Sequence, residues 1–109
     1  MAKFYISKDA KGEYRFLLKA ANNEPILAAS EGYTSKQNCQ NAIESVRINS
    51  QIDSRYDRRA NSLHYFFTLQ AANGQTLGIS EMYNTAQGRD NGISAVKRDA
   101  PGAPVVDLT

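Results

Sequence analysis

The chain has 109 residues, of which 41% are hydrophobic and 22% charged, a composition typical of one small folded domain and not of a disordered segment. A formal net charge of +2 does not by itself argue for a polyanionic partner, and a single cysteine, Cys39, excludes an internal disulfide. The N-terminal residues contain no apolar run of the length that a signal peptide or a membrane span needs. We therefore expect a cytoplasmic protein without a membrane segment.

Two similar stretches predict that the chain is a tandem repeat. Residues 14–22 read YRFLLKAAN and residues 65–73 read YFFTLQAAN, with six of nine positions identical at an offset of 51. Half of the chain would bury too little apolar surface to fold well alone. We therefore predict one domain, 1–109, in which repeat one (1–54) and repeat two (55–109) share a core.

The first half begins with three predicted strands. Alternating apolar residues predict a strand over 3–8, a second strand over 14–19, and a third over 26–29. In the second strand the period of two places Phe16 and Leu18 towards the core, and the residues between them towards the other face. Asn22-Asn23 and Asn73-Gly74 tolerate a positive φ, which predicts a two-residue hairpin turn after each copy of this strand.

The motif Ser30-Glu31-Gly32-Tyr33 returns as Ser80-Glu81-Met82-Tyr83, but at an offset of 50. The second copy has therefore lost one residue. Because a deletion within a paired strand would turn its side chains to the wrong face, we place the loss between Asn23 and Ser30.

A helix follows in each copy. Thr34 with Gln37, and Asn84 with Gln87, have the spacing of a cap residue and its capping-box partner. The helical period then predicts one apolar face in each helix. These faces consist of Cys39, Ala42, Ile43 and Val46 in the first copy, and of Arg89, Gly92, Ile93 and Val96 in the second.

The connector and the C-terminus complete the repeats. Tyr56 takes the place of Phe4 in the opening strand of the second copy, with Arg58 at the place of Ile6. Val105, Val106 and Leu108 predict a short last strand. Each repeat thus consists of three strands, a helix and a fourth strand, in the α+β class.

No catalytic signature stands out, so we expect neither an enzyme nor a cofactor or metal site. The only histidine, His64, has no cysteine or carboxylate at ligand spacing, and Cys39 fits a small buried thiol. Glu31 and Glu81 recur beside Tyr33 and Tyr83. Two interpretations remain open: the glutamates form an acid/base pair, or each belongs to an ordinary loop before a helix.

Basic and aromatic residues leave a binding role open. Arg55, Arg58 and Arg59 flank Tyr56, but Asp53 and Asp57 lie among them and favour local ion pairs. If both helices cover one face of the sheet, the other face carries Arg15, Leu17, Lys19, Phe66, Thr68 and Gln70. We predict a binding surface with Arg15, Lys19 and Phe66 at its centre and Arg55, Arg58 and Arg59 as its rim. A protein partner is favoured, and weak single-stranded nucleic-acid binding is the alternative.

The repeated motifs resemble those of the YegP family over nearly the whole chain. They are Tyr-x-Phe-x-Leu-x-Ala-Ala-Asn, Ser-Glu-x-Tyr, and the helical Asn-x-Ile-x-x-Val that starts at Asn41 and again at Asn91. The family comprises small bacterial proteins of unknown function. The resemblance implies one mostly antiparallel sheet of β-β-β-α-β repeats, two helices on one face, pseudo-two-fold symmetry and exchanged C-terminal strands. It also implies a monomer that acts as its own pseudo-dimer, and it transfers no catalytic residue.

Overall fold

The structure, a computed structural model, describes all residues from 1 to 109. Its seven strands are β1 (Lys3–Lys8), β2 (Tyr14–Lys19), β3 (Pro25–Ala29), β4 (Tyr56–Ala60), β5 (Tyr65–Gln70), β6 (Thr76–Ser80) and β7 (Val105–Asp107). Its two α-helices are α1 (Lys36–Asn49) and α2 (Ala86–Asp99), and single 3₁₀ turns cover Asp53–Arg55 and Ala100–Gly102. The predicted strands and helices are therefore confirmed in order and in type, except that the first repeat has no fourth strand.

All seven strands form one sheet in the order β4-β5-β6-β3-β2-β1-β7. Every neighbouring pair is antiparallel except β1 and β7, which are parallel. The two repeats meet at the central pair of β3 and β6. Both helices pack on one side of this sheet, over a single cluster of 20 buried residues. The α+β class and the two-repeat architecture are confirmed.

The exchange of last strands occurs in one direction. Strand β7, which ends the second repeat, lies beside β1 of the first, and the Phe4 N–H donates to the Pro104 carbonyl at 2.9 Å. The first repeat has no corresponding strand. Its chain leaves α1, makes the 3₁₀ turn over Asp53–Arg55 and enters β4 directly, with the Tyr56 N–H donating to the Asp53 carbonyl. Strand β4 therefore remains an edge of the sheet.

The core repeats an aromatic pair. Phe4 and Phe16 meet edge to face with ring centroids 6.1 Å apart, and Tyr56 and Phe67 repeat this contact at 5.7 Å. Tyr56 thus replaces Phe4 as predicted. Its hydroxyl adds a hydrogen bond, since it donates to the Ser50 carbonyl at 2.9 Å and ties β4 to the end of α1.

The lost residue of the second copy does not lie where we predicted. Leu17 pairs with Ala28 and Thr68 pairs with Ile79, so the offset of 51 persists through the third strand of each repeat. The Tyr14–Tyr33 and Tyr65–Tyr83 bridges show the offset of 50 only afterwards. The predicted position of the deletion, between Asn23 and Ser30, was wrong. The deletion falls between Ala29 and Tyr33, at the end of the strand, where it leaves the strand pairing intact.

This register explains how the halves fit at the pseudo-two-fold axis. Gly78 occupies in β6 the position that Leu27 occupies in β3. A Cβ atom at Gly78 would lie 2.7 Å from Cγ of Leu27, which is buried. Two leucines would therefore compete for the same space, and the glycine removes that conflict.

The turns after β2 and β5 contain three residues, so the predicted two-residue turns were wrong. In the first, the Asn23 N–H donates to the Ala20 carbonyl at 2.9 Å, and the Ala20 N–H donates to the Glu24 carbonyl at 2.8 Å. Asn23 has φ 71° and Gly74 has φ 84°. The expected left-handed residues are thus present, but each closes a three-residue loop.

Both helix caps lie one residue later than predicted. The side chain of Ser35 accepts the Asn38 N–H at 3.1 Å, and that of Thr85 accepts the Gly88 N–H at 2.9 Å. Thr34 and Asn84 are therefore not the caps. Gln37 does not reach back to close a capping box, because its amide donates to Asn41 instead.

Acid should loosen strand β7. Lys36 Nζ donates to Asp107 at 2.7 Å, and this hydrogen bond, with those from Thr109, holds the pKa of Asp107 well below its usual range. A depressed pKa stabilises the folded form above the unfolded pKa of about 3.9, and this stabilisation disappears as the pH falls below that value. The Leu108 N–H, directly after β7, donates to the Ile6 carbonyl of β1 at 2.9 Å. We expect hydrogen-exchange protection of this amide to fall in the same pH range.

The matched variant for this prediction is Asp107→Asn. Because it lacks the titrating group, it should show weaker protection of Leu108 at neutral pH and little further change in acid. An unchanged acid profile in this variant would show that Asp107 does not control β7.

Candidate binding sites

The sheet surface turned away from the helices, here called the open face, has an apolar centre. Cross-strand pairing places a row of residues from β1 to β4 on it: Tyr5, Leu17, Ala28, Ile79, Thr68 and Asp57. Phe66 lies beside this row on β5 and is half-buried. Thr68, expected to be an outward residue, is only 7% exposed. Tyr5, Leu17, Ala28 and Ile79 thus form a continuous apolar run across four neighbouring strands.

The two arginines of the open face are paired with aspartates. Arg15 Nε lies 2.8 Å from Asp9 Oδ2, and Arg59 Nη2 lies 2.7 Å from Asp57 Oδ2. Lys19 Nζ lies 5.2 Å from the centre of the Tyr5 ring, at cation–π distance. The ion pair of Arg59 with Asp57 that the sequence favoured is thus present, whereas Lys19 and its cross-strand neighbour Lys3 have no carboxylate partner.

The structure places only one residue of the predicted rim on the same face as the predicted centre. Arg15, Lys19, Phe66 and Arg59 lie on the open face, since Arg59 pairs with Phe66. Arg58 instead pairs with the core residue Phe67 and lies on the helix side, 3.1 Å from Asp53.

Arg55 also lies away from the open face. Its Nη1 donates to Asn49 Oδ1 at the end of α1, at 2.8 Å. A rim that includes Arg55 and Arg58 was therefore a wrong prediction.

Two clefts on the helix side were not predicted from the sequence. The first cleft, of about 480 Å³, lies between α2 and the hairpin of β2 and β3; it is lined by Ala20, Asn22, Glu24, Pro25, Ile26, Glu81, Met82, Tyr83, Gly88, Asn91, Gly92 and Ala95. The second cleft, of about 380 Å³, lies between α1 and the hairpin of β5 and β6; it is lined by Glu31, Tyr33, Asn38, Asn41, Ala42, Gln75 and Leu77. Each cleft thus combines the helix of one repeat with the hairpin of the other.

The clefts are two copies of one site. Every residue that lines the second cleft corresponds, through the repeat offsets, to a residue that lines the first. The helix side keeps Glu, Tyr and Asn at equivalent positions, whereas Gln75 stands in the second cleft where the first has Glu24. The first cleft is therefore the more acidic of the two.

Local contacts orient the polar side chains of the clefts. The Gln87 amide donates to Asn91 Oδ1 at 2.9 Å, and Gln37 makes the same bond to Asn41. Each asparagine therefore keeps its own N–H donors free. Burial raises the pKa of Tyr83, and the charges of Glu81 and Glu24 raise it further, so both carboxylates act on this phenol.

The backbone of α2 passes close beneath Tyr83. A Cβ atom at Gly92 would collide with the Tyr83 hydroxyl. The glycine therefore lets the ring lie against the helix, which explains why the weaker helix former is found at this position.

Comparison with known proteins decides the family. The model of a domain of unknown function, DUF1508, matches residues 9–57 and again residues 60–107. The chain belongs to the DUF1508 family. The resemblance to YegP is thereby confirmed, and the family description names no activity.

Several relatives match this chain over nearly their whole length. A UPF0339 protein of Bordetella pertussis is 48% identical over 100% of this chain and 98% of its own length. YegP of Escherichia coli K12 is 45% identical over 97% of this chain and 96% of its own. The solution structure of E. coli yegP, described as of unknown function, superposes with a TM-score of 0.92 at 43% identity, over 99% of this chain and 93% of that one.

A second solution structure, of a UPF0339 protein from Shewanella oneidensis, also has a TM-score of 0.92. It is 40% identical and covers 99% of this chain and 92% of its own.

The remaining candidate groups of this DUF1508 chain lie in different parts of the fold. Cys39 is fully buried, and burial raises the pKa of its thiol. His64 ends the hairpin turn between β4 and β5, where its carbonyl accepts the Asn61 N–H. Glu31 and Glu81 line different clefts, so they do not form an acid/base pair. No three His, Cys, Asp or Glu side chains converge as a metal site, and neither helix is long and apolar enough to cross a membrane.

Proposed function

We propose that this DUF1508 protein is a non-enzymatic interaction module of the bacterial cytoplasm, which binds a partner protein through its open face. It acts as a single chain, because its two repeats already pair with each other. The partner presents apolar side chains of its own, with polar groups around them.

The apolar centre of the open face supports this proposal. Tyr5, Leu17, Ala28, Ile79 and Phe66 leave apolar surface in contact with solvent across five adjacent strands, and Ile79 is 37% exposed. A half-exposed apolar patch with a charged margin is the usual composition of a protein interface. The aspartates beside Arg15 and Arg59 weigh against nucleic acid, because phosphate binding needs unopposed positive charge.

Site-specific photocrosslinking in cells tests the proposal. A benzoylphenylalanine in place of Leu17, or of Ile79, should give discrete protein adducts that survive nuclease treatment. The same residue in place of Gln40, which is exposed on α1, is the matched control and should not give those adducts. Absence of adducts at both sheet positions, or the same adducts from all three, would contradict the proposal.

Fluorescence titration with single-stranded RNA and DNA tests the alternative function, which is nucleic-acid binding. We expect no binding that strengthens as the salt concentration falls. Binding of this kind would instead support the nucleic-acid function, provided that Arg15→Glu and Phe66→Ala both weaken it.

A further inference from the structure

The carboxylates of this chain divide into paired and unpaired groups. Seven of the eleven acidic side chains form an ion pair within the chain. The four that do not are Glu13, Glu24, Glu31 and Glu81. Three of these four line the clefts. Outside the clefts every side-chain carboxylate except that of Glu13 has an ion-pair partner, so the unopposed acidic charge is concentrated at the clefts.

The clefts also keep exposed polar residues that packing does not require. Between α1 and α2 the identical residues are a glutamine, an asparagine, an isoleucine and a valine. Ile43, Val46 and their counterparts are buried, so the core explains them. The glutamine–asparagine pairs are exposed, and in each pair the glutamine donates to an asparagine that lines a cleft, so both asparagines have the same orientation. A shared binding task accounts for this identity where the core does not.

We propose that the first cleft binds an alkylammonium or guanidinium group carried on a short extended chain, and that the second cleft binds the same group more weakly. Glu24 and Glu81 supply the negative charge, and no lysine or arginine lines the cleft. Tyr83 provides an aromatic surface for the cation. The free N–H donors of Asn91 fit a carbonyl oxygen of the ligand, which a lysine or arginine side chain within a polypeptide would bring with it.

The volume and the charge difference agree with this ligand. About 480 Å³ lies within the range of small-ligand sites and accommodates one long side chain. In the second cleft, Gln75 removes one of the two carboxylates, so the attraction for a cation is smaller. This site lies on the helix side and does not depend on a partner at the open face.

Nuclear magnetic resonance of the ¹⁵N-labelled full chain tests the proposal with defined probes. Acetyl-Gly-Arg-Gly-amide should cause saturable shifts of the Gly88 and Gly92 amides, and smaller shifts at Asn38 of the second cleft. The same peptide with citrulline in place of arginine keeps the shape without the charge and should bind at least about tenfold more weakly, since a hydrogen bond to a charged group contributes that much. Spermidine serves as the second probe; binding of spermidine alone would identify free polyamines as the source of the cation, and binding of the peptide alone would identify a polypeptide.

Variants complete the test. Glu24→Gln combined with Glu81→Gln should weaken binding of the arginine peptide by about tenfold. Glu13→Gln, which changes the one unpaired glutamate outside the clefts, should leave the affinity unchanged. If neither probe causes saturable shifts, if citrulline binds as well as arginine, or if the double variant binds like the unaltered chain, the proposal is overturned. Either single Glu→Gln variant provides the same comparison if the double variant fails to fold.

Discussion

Phe16→Ala and Phe67→Ala should each lower the free energy of unfolding by about 3 to 5 kcal/mol, the range observed when a buried phenylalanine is truncated. Phe16 is 2% exposed and Phe67 0%, and each ring contacts a second aromatic ring edge to face. Truncation would leave a cavity between the sheet and the helices and remove that aromatic contact. Urea denaturation followed by circular dichroism measures the effect.

Phe66→Ala is the matched control, since it removes the same atoms from the neighbouring position on the opposite side of β5. Phe66 is half-buried on the open face, so we expect a clearly smaller loss. A larger loss for Phe66 than for Phe67 would mean that the open face is covered and contributes more to stability than the helix side.

The isolated fragment 1–54 should not fold as a monomer. In the intact chain β3 pairs with β6 and β1 pairs with β7, so the fragment would leave both edges of its sheet without partners. The fragment would also lack Ala100 and Ala103, which pack in the core of the intact chain. Half a domain buries too little apolar surface to offset these losses. Circular dichroism and sedimentation velocity should show a largely unfolded or self-associated fragment.

Mixing the fragments 1–54 and 55–109 provides the control for this prediction. If the halves share one core, the mixture should regain helix and strand signal that neither fragment shows alone. A monomeric 1–54 fragment with a cooperative melt near that of the full chain would show that the repeats fold independently.

The sequence correctly predicted which faces of the strands and helices are buried. These faces follow the periodic spacing of apolar residues, and a few residues are enough to recognise that spacing. Phe16 and Leu18 with their copies, and the Cys39 to Val46 face, are buried as expected. The caps were displaced by one residue because Thr34-Ser35 and Asn84-Thr85 each contain two adjacent residues that can cap a helix. The position of the deletion was wrong because Ser30 and Ser80 match in letters but not in the register of the sheet.

Other features arise from geometry that the sequence pattern does not carry. Ile26 and Leu77 lie at irregularities in the pairing of β2 with β3 and of β5 with β6, and both are buried, although strict alternation would turn them outward. The clefts were missed because each joins one repeat to the other across the sheet. The recurrence of Gln37 and Asn41 as Gln87 and Asn91, on exposed turns of the helices, was the signal that could have revealed them.

The pairing of β7 with β1 also sets the order in which the protein can be completed during synthesis. Phe4 leaves the ribosome well before its partner Val105, because most of both repeats lies between them in the sequence. Until Val105 is made, β1 presents an open edge to other nascent chains, and closing that edge requires a contact between residues far apart in the sequence. A truncated product that lacks β7 would keep this edge open, so the presence of β7 distinguishes a chain whose sheet is closed beside β1 from one whose sheet is not.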